Sequence, residues 1–228
     1  MVTVLAEKYE FDALSRADLV IDAVYMGGSA GHGSDDPISR VLPGSGNQGG
    51  FRPSGRGERN NCVVLYTSGE EKDWPDRIDL STGRFAYFGD HKTPGHELHD
   101  TQRGGNEILR RFFERLHSPV PDRPSTPPFF VFSKYPTPCS PRSVQFKGLA
   151  VPGYPGLSGT EDLVAVWKTS QGHRFQNYRA VFTILDCPVI PRAWIATLGA
   201  GNALTPNAPA AWHSRPSPHG YSRCSTVV

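Results

Sequence analysis

The segment Trp74–Asn106 reads WPDRIDLSTGRFAYFGDHKTPGHELHDTQRGGN. It combines an aromatic-Pro-Asp turn, a Ser-Thr-Gly turn at Ser81 to Gly83 and a short aromatic strand, Phe85 to Phe88. A Gly-Asp-His-Lys loop follows and leads through Pro94-Gly95 to a Gly-Gly-Asn helix start. Glycine and proline set backbone direction, so the acids and aromatics between them are aimed rather than merely buried. The side-chain chemistry suits a pocket for one flat ring with polar edges.

Working outward, the next stretch predicts the clearest helix. Ile108, Leu109, Phe112, Phe113 and Leu116 recur at helical spacing over Glu107 to His117, with Asn106 as N-cap and Pro119 past the end. A Pro-rich connector spans Pro119 to Pro128. Four strand-like runs then follow: Phe129 to Tyr135, Val144 to Val151, Leu163 to Thr169 and Tyr178 to Leu185. Their spacing suits an antiparallel barrel or sandwich. Pro191 to Leu198 reads as a short helix. From about Ala208 the chain is poor in apolar residues, and this tail is expected to be disordered or held only through Trp212.

Upstream, Glu10 to Leu14 fits a helical turn, Leu19 to Tyr25 a strand and Cys62 to Thr67 a buried strand. Gly27 to Gly57 reads as one long glycine-rich loop. Within it Gly44, Gly46 and Gly49 match GxGxxG, but Pro43 precedes them and Phe51-Arg52-Pro53 follows. A dinucleotide fingerprint needs a strand before it and a helix after it, so that reading fails. Arginines among glycines, here Arg52, Arg56 and Arg59, suit a segment lying along phosphates.

Composition narrows the class. Among 228 residues there are 24 glycines and 21 prolines, against a helical bundle, while 12 Phe, 8 Tyr and 4 Trp supply large core pieces. The net charge of +2 does not by itself announce a nucleic-acid binder. Cys62, Cys139, Cys187 and Cys224 are scattered without a Cys-x-x-Cys pair, as free thiols in a reducing cytosol would be. No signal peptide or membrane-length apolar run is visible, so a cytoplasmic protein without membrane contact is expected.

The candidate chemistry is recognition of an extruded base, which needs stacking faces and a polar contact to the base edge. Tyr87 and Trp74 are the stacking candidates. Asp76 or Asp79 could accept from a cytosine amine, and Asp90 could instead bond to amides of its own loop. Tyr87 shares a strand face with Phe85 and could equally be core, Trp74 could plug the end of a barrel, and Asp79 could serve as a turn former. His96, His99 and Asp100 raise the alternative of a metal-dependent hydrolase, although GHELHD lacks the spacing of HExxH. Glu70-Glu71-Lys72 holds the Glu-x-Lys half of a metal-nuclease site without an evident partner acid. No catalytic residue, metal site or cofactor is assigned.

The run DWPDRIDLSTGRFAYFGDHKTPGHELHDTQRGGNEILRRFF, with the upstream DAVYMGG, DDP and GNQGGFR, resembles the N-terminal DNA-recognition region of AspBHI-type, MspJI-related modification-dependent restriction endonucleases. Such regions are similar to SRA domains. The resemblance implies an α+β fold, a curved and partly closed antiparallel β-barrel with flanking helices and long loops, over residues 1–212, with residues 213–228 as a tail. It implies 5-methylcytosine or 5-hydroxymethylcytosine in duplex DNA as ligand. The base pocket would comprise Trp74, Asp76, Asp79, Tyr87, Phe88, Gly89 and Asp90, with Phe88 replacing the family's threonine. Arg52, Arg56, Arg59, His91, Lys92, His99, Arg103 and Arg110 would meet backbone and grooves. A PD-(D/E)xK nuclease domain follows the reader in that family, so it is an expected companion.

Overall fold

The computed structural model describes residues 6–56, 59–118, 125–170 and 172–214, excluding the side chain of Arg56. The disordered-tail expectation therefore falls mostly outside the described residues, as does most of the Pro-rich connector. In chain order the elements are β1 (Lys8–Tyr9), β2 (Leu19–Val20), β3 (Val24–Tyr25), α1 (Pro37–Val41), β4 (Phe51–Arg56), β5 (Arg59–Thr67), β6 (Arg77–Asp79) and β7 (Arg84–Phe88). There follow α2 (Gly105–Leu116), β8 (Phe129–Lys134), β9 (Val144–Pro152), α3 (Gly159–Asp162), β10 (Leu163–Ser170), β11 (His173–Ile184), β12 (Val189–Ile190), α4 (Arg192–Leu198) and α5 (Ala210–His213). Short 3-10 turns occupy Phe11–Arg16 and Gly33–Asp35. No described helix is long and apolar enough to cross a membrane.

The chain divides into two compact units. The first takes residues from Met1–Ser68, Pro128–Leu149 and Cys187–His213, and the second chiefly from Gly69–Pro127 and Ala150–Asp186. In the first unit the strand order is β4-β5-β8-β9, with β3 on β9, β1 on β3 and β12 on β2. Two of these pairings, β1 with β3 and β5 with β8, are parallel. That departs from the antiparallel expectation. A parallel pair needs a crossover, and between β5 and β8 the chain leaves for the second unit and returns.

The first unit's core follows from its apolar strand runs. Val63, Val64, Leu65 and Phe129–Phe132 are fully buried. Phe132 packs on Phe146, Phe130 on Trp194, and Trp194 on Trp212 at 5.6 Å. Each such ring removed from water contributes about 1.5–3 kcal/mol. The strand expected over Leu19 to Tyr25 is broken at Asp22, which adopts φ 62°. A short polar side chain tolerates that left-handed region, and Lys147 holds the Asp22 carboxylate at 2.7 Å.

In the second unit the order is β9-β11-β7-β6, with β10 also on β11. The length of β11 permits this: residues 173–180 pair with β10 and Phe182 to Ile184 with β9. Helix α2 buries Ile108, Leu109, Phe112 and Phe113, and Phe113 meets Phe182 edge-on at 5.5 Å. The mixed α+β class is as expected. The described strands form no closed barrel, because β4 and β6 end their rows without a further pairing.

Candidate nucleic-acid interface

The organising stretch builds the β6-β7 hairpin of the second unit. Burial alternates along β7, with Phe85 and Tyr87 inward and Arg84, Ala86 and Phe88 half-buried. Alternation places Tyr87 and Phe88 on opposite faces. The Tyr87 ring lies 5.7 Å from Phe85 and is 2% exposed. Trp74, also 2% exposed, lies 5.4 Å from Phe88 and 5.6 Å from Phe175, and Lys168 Nζ stands 4.8 Å over its ring. Trp74 and Tyr87 therefore do not face each other across a common gap. The two-ring clamp expected from sequence is corrected: strand alternation assigns the rings to different sides, and Trp74 packs against Phe88 and Phe175.

The acids separate cleanly. Asp76 Oδ1 accepts the Phe88 amide at 2.8 Å, which fixes the carboxylate beside β7. Asp79 Oδ1 accepts from both the amide and the hydroxyl of Ser81, at 3.0 and 2.6 Å. Those bonds, with others from Thr82, hold its carboxyl below the ordinary range. Asp79 is thus a turn former. Asp90 caps α2: its two oxygens accept the amides of Gly105 and Asn106, each at 3.0 Å. Gly104, not Asn106, is the N-cap residue, at φ 61°.

Asn106 is instead fully buried and ties three segments together. Its Nδ2 donates to Leu98 O at 2.8 Å and to Asn177 Oδ1 at 3.1 Å, while Asn177 Nδ2 donates to Gly89 O at 3.0 Å. A Cβ on Gly89 would collide with the Asn106 and Asn177 amide oxygens. Glycine is required there. Sequence reading missed Asn177; an asparagine in mid-strand among aromatics was its only signal.

The loop between Asp90 and α2 carries the remaining second-unit candidates. His91 is buried, with Nδ1 2.5 Å from Gln176 O and Nε2 without a partner among the described residues. Burial removes it from the set of groove-contacting residues. Lys92 is partly exposed, 3.6 Å from Glu71. His99 Nε2 lies 3.0 Å from the Tyr178 hydroxyl. Arg103, just before the α2 cap, is half-buried. Arg110 is committed to Glu107 at 2.6 Å and Glu114 at 2.9 Å, so as a phosphate contact it is corrected to a helix-surface network.

In the first unit Arg52 is likewise corrected. It is buried, donating from Nη1 to both Asp36 oxygens at 2.9 and 3.0 Å and from Nε to Gly49 O at 2.7 Å. Asp36 also caps α1 by accepting the Ser39 amide at 2.8 Å. The glycine-rich stretch is therefore structured around an ion pair, contrary to the expected long loop. Arg59 is exposed, opposite Arg56 in the β4-β5 register, and borders a groove with Gly44, Asn61 and Gly199. The backbone of Arg56 lies in β4.

The metal alternative finds no site among the described residues. His96 and Asp100 stand 3.7 Å apart and His99 is turned to Tyr178, and no group of three ligating side chains suited to a metal occurs among the described residues. Glu70 and Lys72 are exposed in the turn after β5.

A mixed α+β protein whose acids fix an aromatic hairpin and the loop entering its main helix is the class these observations define. The chain belongs to the family described as restriction endonuclease AspBHI N-terminal, whose model matches residues 19–224. It is 58% identical to a solved structure described as the DNA recognition domain of the cytosine modification-dependent restriction endonuclease LpnPI. That match covers 85% of this chain and 86% of that one, with a TM-score of 0.83. It is 45% identical to the DNA modification-dependent restriction endonuclease AspBHI, covering 95% of this chain and 98% of that one, with a TM-score of 0.86. No curated protein gives a significant match.

Proposed function

We propose that this chain is the DNA-recognition part of a modification-dependent restriction endonuclease, reading 5-methylcytosine or 5-hydroxymethylcytosine in duplex DNA by extruding the base. The observation that carries the reading is the 58% identity, across most of both chains, to a domain described as recognising DNA for a cytosine modification-dependent endonuclease. In this reading residues 1–212 act as one SRA-like recognition domain in the cytoplasm, and cleavage belongs to a partner PD-(D/E)xK nuclease domain.

The hydrogen bonds of the β6-β7 hairpin support a narrower set of base-contacting residues. Asp76, whose carboxylate the Phe88 amide fixes beside β7, is the edge reader, and Asp79 serves the Ser81 turn. Tyr87 is the stacking ring of this reading and, being 2% exposed against Phe85, has to be uncovered as the base enters, while Trp74 and Phe88 pack behind the other face of β7. Asp90 and the Asn106-Asn177-Gly89 network pre-order the adjoining loop. Burial of one methyl contributes about 0.8 kcal/mol, roughly a fourfold preference. Larger discrimination has to come from polar edges left unpaired by a wrong base.

Binding to otherwise identical methylated, hydroxymethylated and plain duplexes at one salt concentration tests the reading. A modified duplex is expected to bind more tightly, and Asp76→Ala to remove the preference while Asp79→Ala retains it. Equal affinity for all three duplexes overturns the proposal.

A further inference from the structure

Leu163 to Ile184, spanning β10, β11 and the residues between them, contains no aspartate or glutamate, yet includes Lys168, His173, Arg174 and Arg179. The β10-β11 register places Trp167 opposite Gln176 and Thr169 opposite Arg174, whereas Lys168 lies opposite Phe175. Directly opposed residues share a face and successive ones alternate. One face of the ribbon is thus Trp167, Thr169, Arg174 and Gln176; the other holds Lys168 and Phe175. The Phe175 face is packed, since that ring meets Trp74 at 5.6 Å and His91 at 5.4 Å.

The Trp167 face is open. Trp167 is 54% exposed, whereas Trp74, Trp194 and Trp212 are buried at 2%, 0% and 0%. The Arg174 guanidinium lies 4.8 Å over the Trp167 ring, and both Thr169 and Arg174 are exposed. Tyr178 extends the same face beside His99. An indole kept in water, a cation stacked on it and a ribbon free of carboxylates form a surface complementary to a polyanion with flat bases. A two-stranded ribbon also fits the major groove.

We propose that this ribbon face is a DNA-contact surface, in which Arg174 meets a backbone phosphate and Trp167 lies against the sugar and base surface beside it. The proposal rests on the reading that the chain binds DNA but does not depend on the base pocket. Because Trp167 and Arg174 grip without reading the modification, they strengthen binding to plain and modified duplexes alike.

The test uses the full chain with a methylated and a plain duplex. DNA is expected to protect the exposed tryptophan emission from iodide, and Trp167→Ala to lose that protected component. Trp167→Ala is expected to weaken both duplexes about tenfold, leaving their affinity ratio unchanged. Arg174→Gln should reduce the slope of log K against log salt by about one. Near-ultraviolet circular dichroism confirms that each variant is folded, which exposure of both side chains favours. Wild-type affinity in both folded variants overturns the proposal while leaving the DNA reading intact, as does an altered sedimentation mass of Trp167→Ala with DNA affinity unchanged. Failure of the wild type to bind either duplex removes the DNA reading, and this surface with it.

Discussion

In sequence, the glycine-rich stretch of the first unit resembles the Gly89–Asn106 loop of the second unit: glycines, an acid, scattered cations. Their acids are used differently. In the first, Asp36 holds the buried Arg52 and caps α1, so the cation is spent inside the protein. In the other, Asp90 caps α2 through two backbone amides and engages no arginine among the described residues, so Arg103 keeps part of its surface toward solvent, whereas Lys92 stands 3.6 Å from Glu71. A cation among glycines is a phosphate contact only when no nearby carboxylate has already claimed it.

The largest effect that can break this contrast is expected at Arg52. Arg52→Met leaves Asp36 buried without its cation, a loss of about 3–5 kcal/mol. That corresponds to a melting temperature lower by roughly 10 °C for a chain of this size. DNA affinity of the folded fraction should not change. Adding Asp36→Ser removes the stranded charge while retaining a capping hydroxyl, so the double variant should recover more than half of the loss. Full stability of Arg52→Met with weakened DNA binding would return Arg52 to the phosphate-contacting set.

Another acid, the buried Asp162, sharpens the comparison through pH. Asp162 accepts the Tyr154 amide at 3.1 Å and pairs with His117 Nε2 at 3.0 Å. Burial pushes its carboxyl up to about 6, with the bond and charge of His117 pulling the other way. The folded value lies above the unfolded one, so the neutral acid favours the fold. This contribution is complete below the unfolded value and is lost as pH rises through about 6. The unfolding free energy of the wild type relative to Asp162→Asn should therefore fall by roughly 2–3 kcal/mol between pH 4 and 7. Urea titrations at each pH measure it; a difference independent of pH would mean that Asp162 is charged throughout.

Much of the fold is legible in the sequence. The strands from Phe129 onward and helix α2 announce themselves by apolar periodicity, a local property. Asp79 as a turn former is also legible, because Ser81 stands two residues away. What escapes depends on distant partners. The claim of Asp36 on Arg52 spans sixteen residues, and Asn106 finds Asn177 across 71. The parallel pairing of β5 with β8 is equally non-local. The Trp74-Tyr87 clamp fails for a subtler reason: grouping Phe88 with the pocket overlooks the alternation along β7, which puts Phe88, and the Trp74 it contacts, on the side away from Tyr87.

The smallest expected effect concerns Asp90 and asks whether the second-unit loop is ordered for binding or merely for folding. Asp90→Ala removes two charge-assisted bonds from the start of α2, costing about 1–2 kcal/mol. Asp90→Asn retains one carbonyl acceptor and should lose about half as much. Because Arg103 stands on this loop, freeing its entry adds an ordering cost to each DNA contact it makes. Affinity should then fall about threefold for modified and plain duplexes together, an ordering penalty of under 1 kcal/mol. Measuring both duplexes separates the possibilities. A common fall assigns the loop to backbone contact, a fall confined to the modified duplex places it at the base itself, and unchanged affinity in a destabilised Asp90→Ala variant reduces the cap to a folding device.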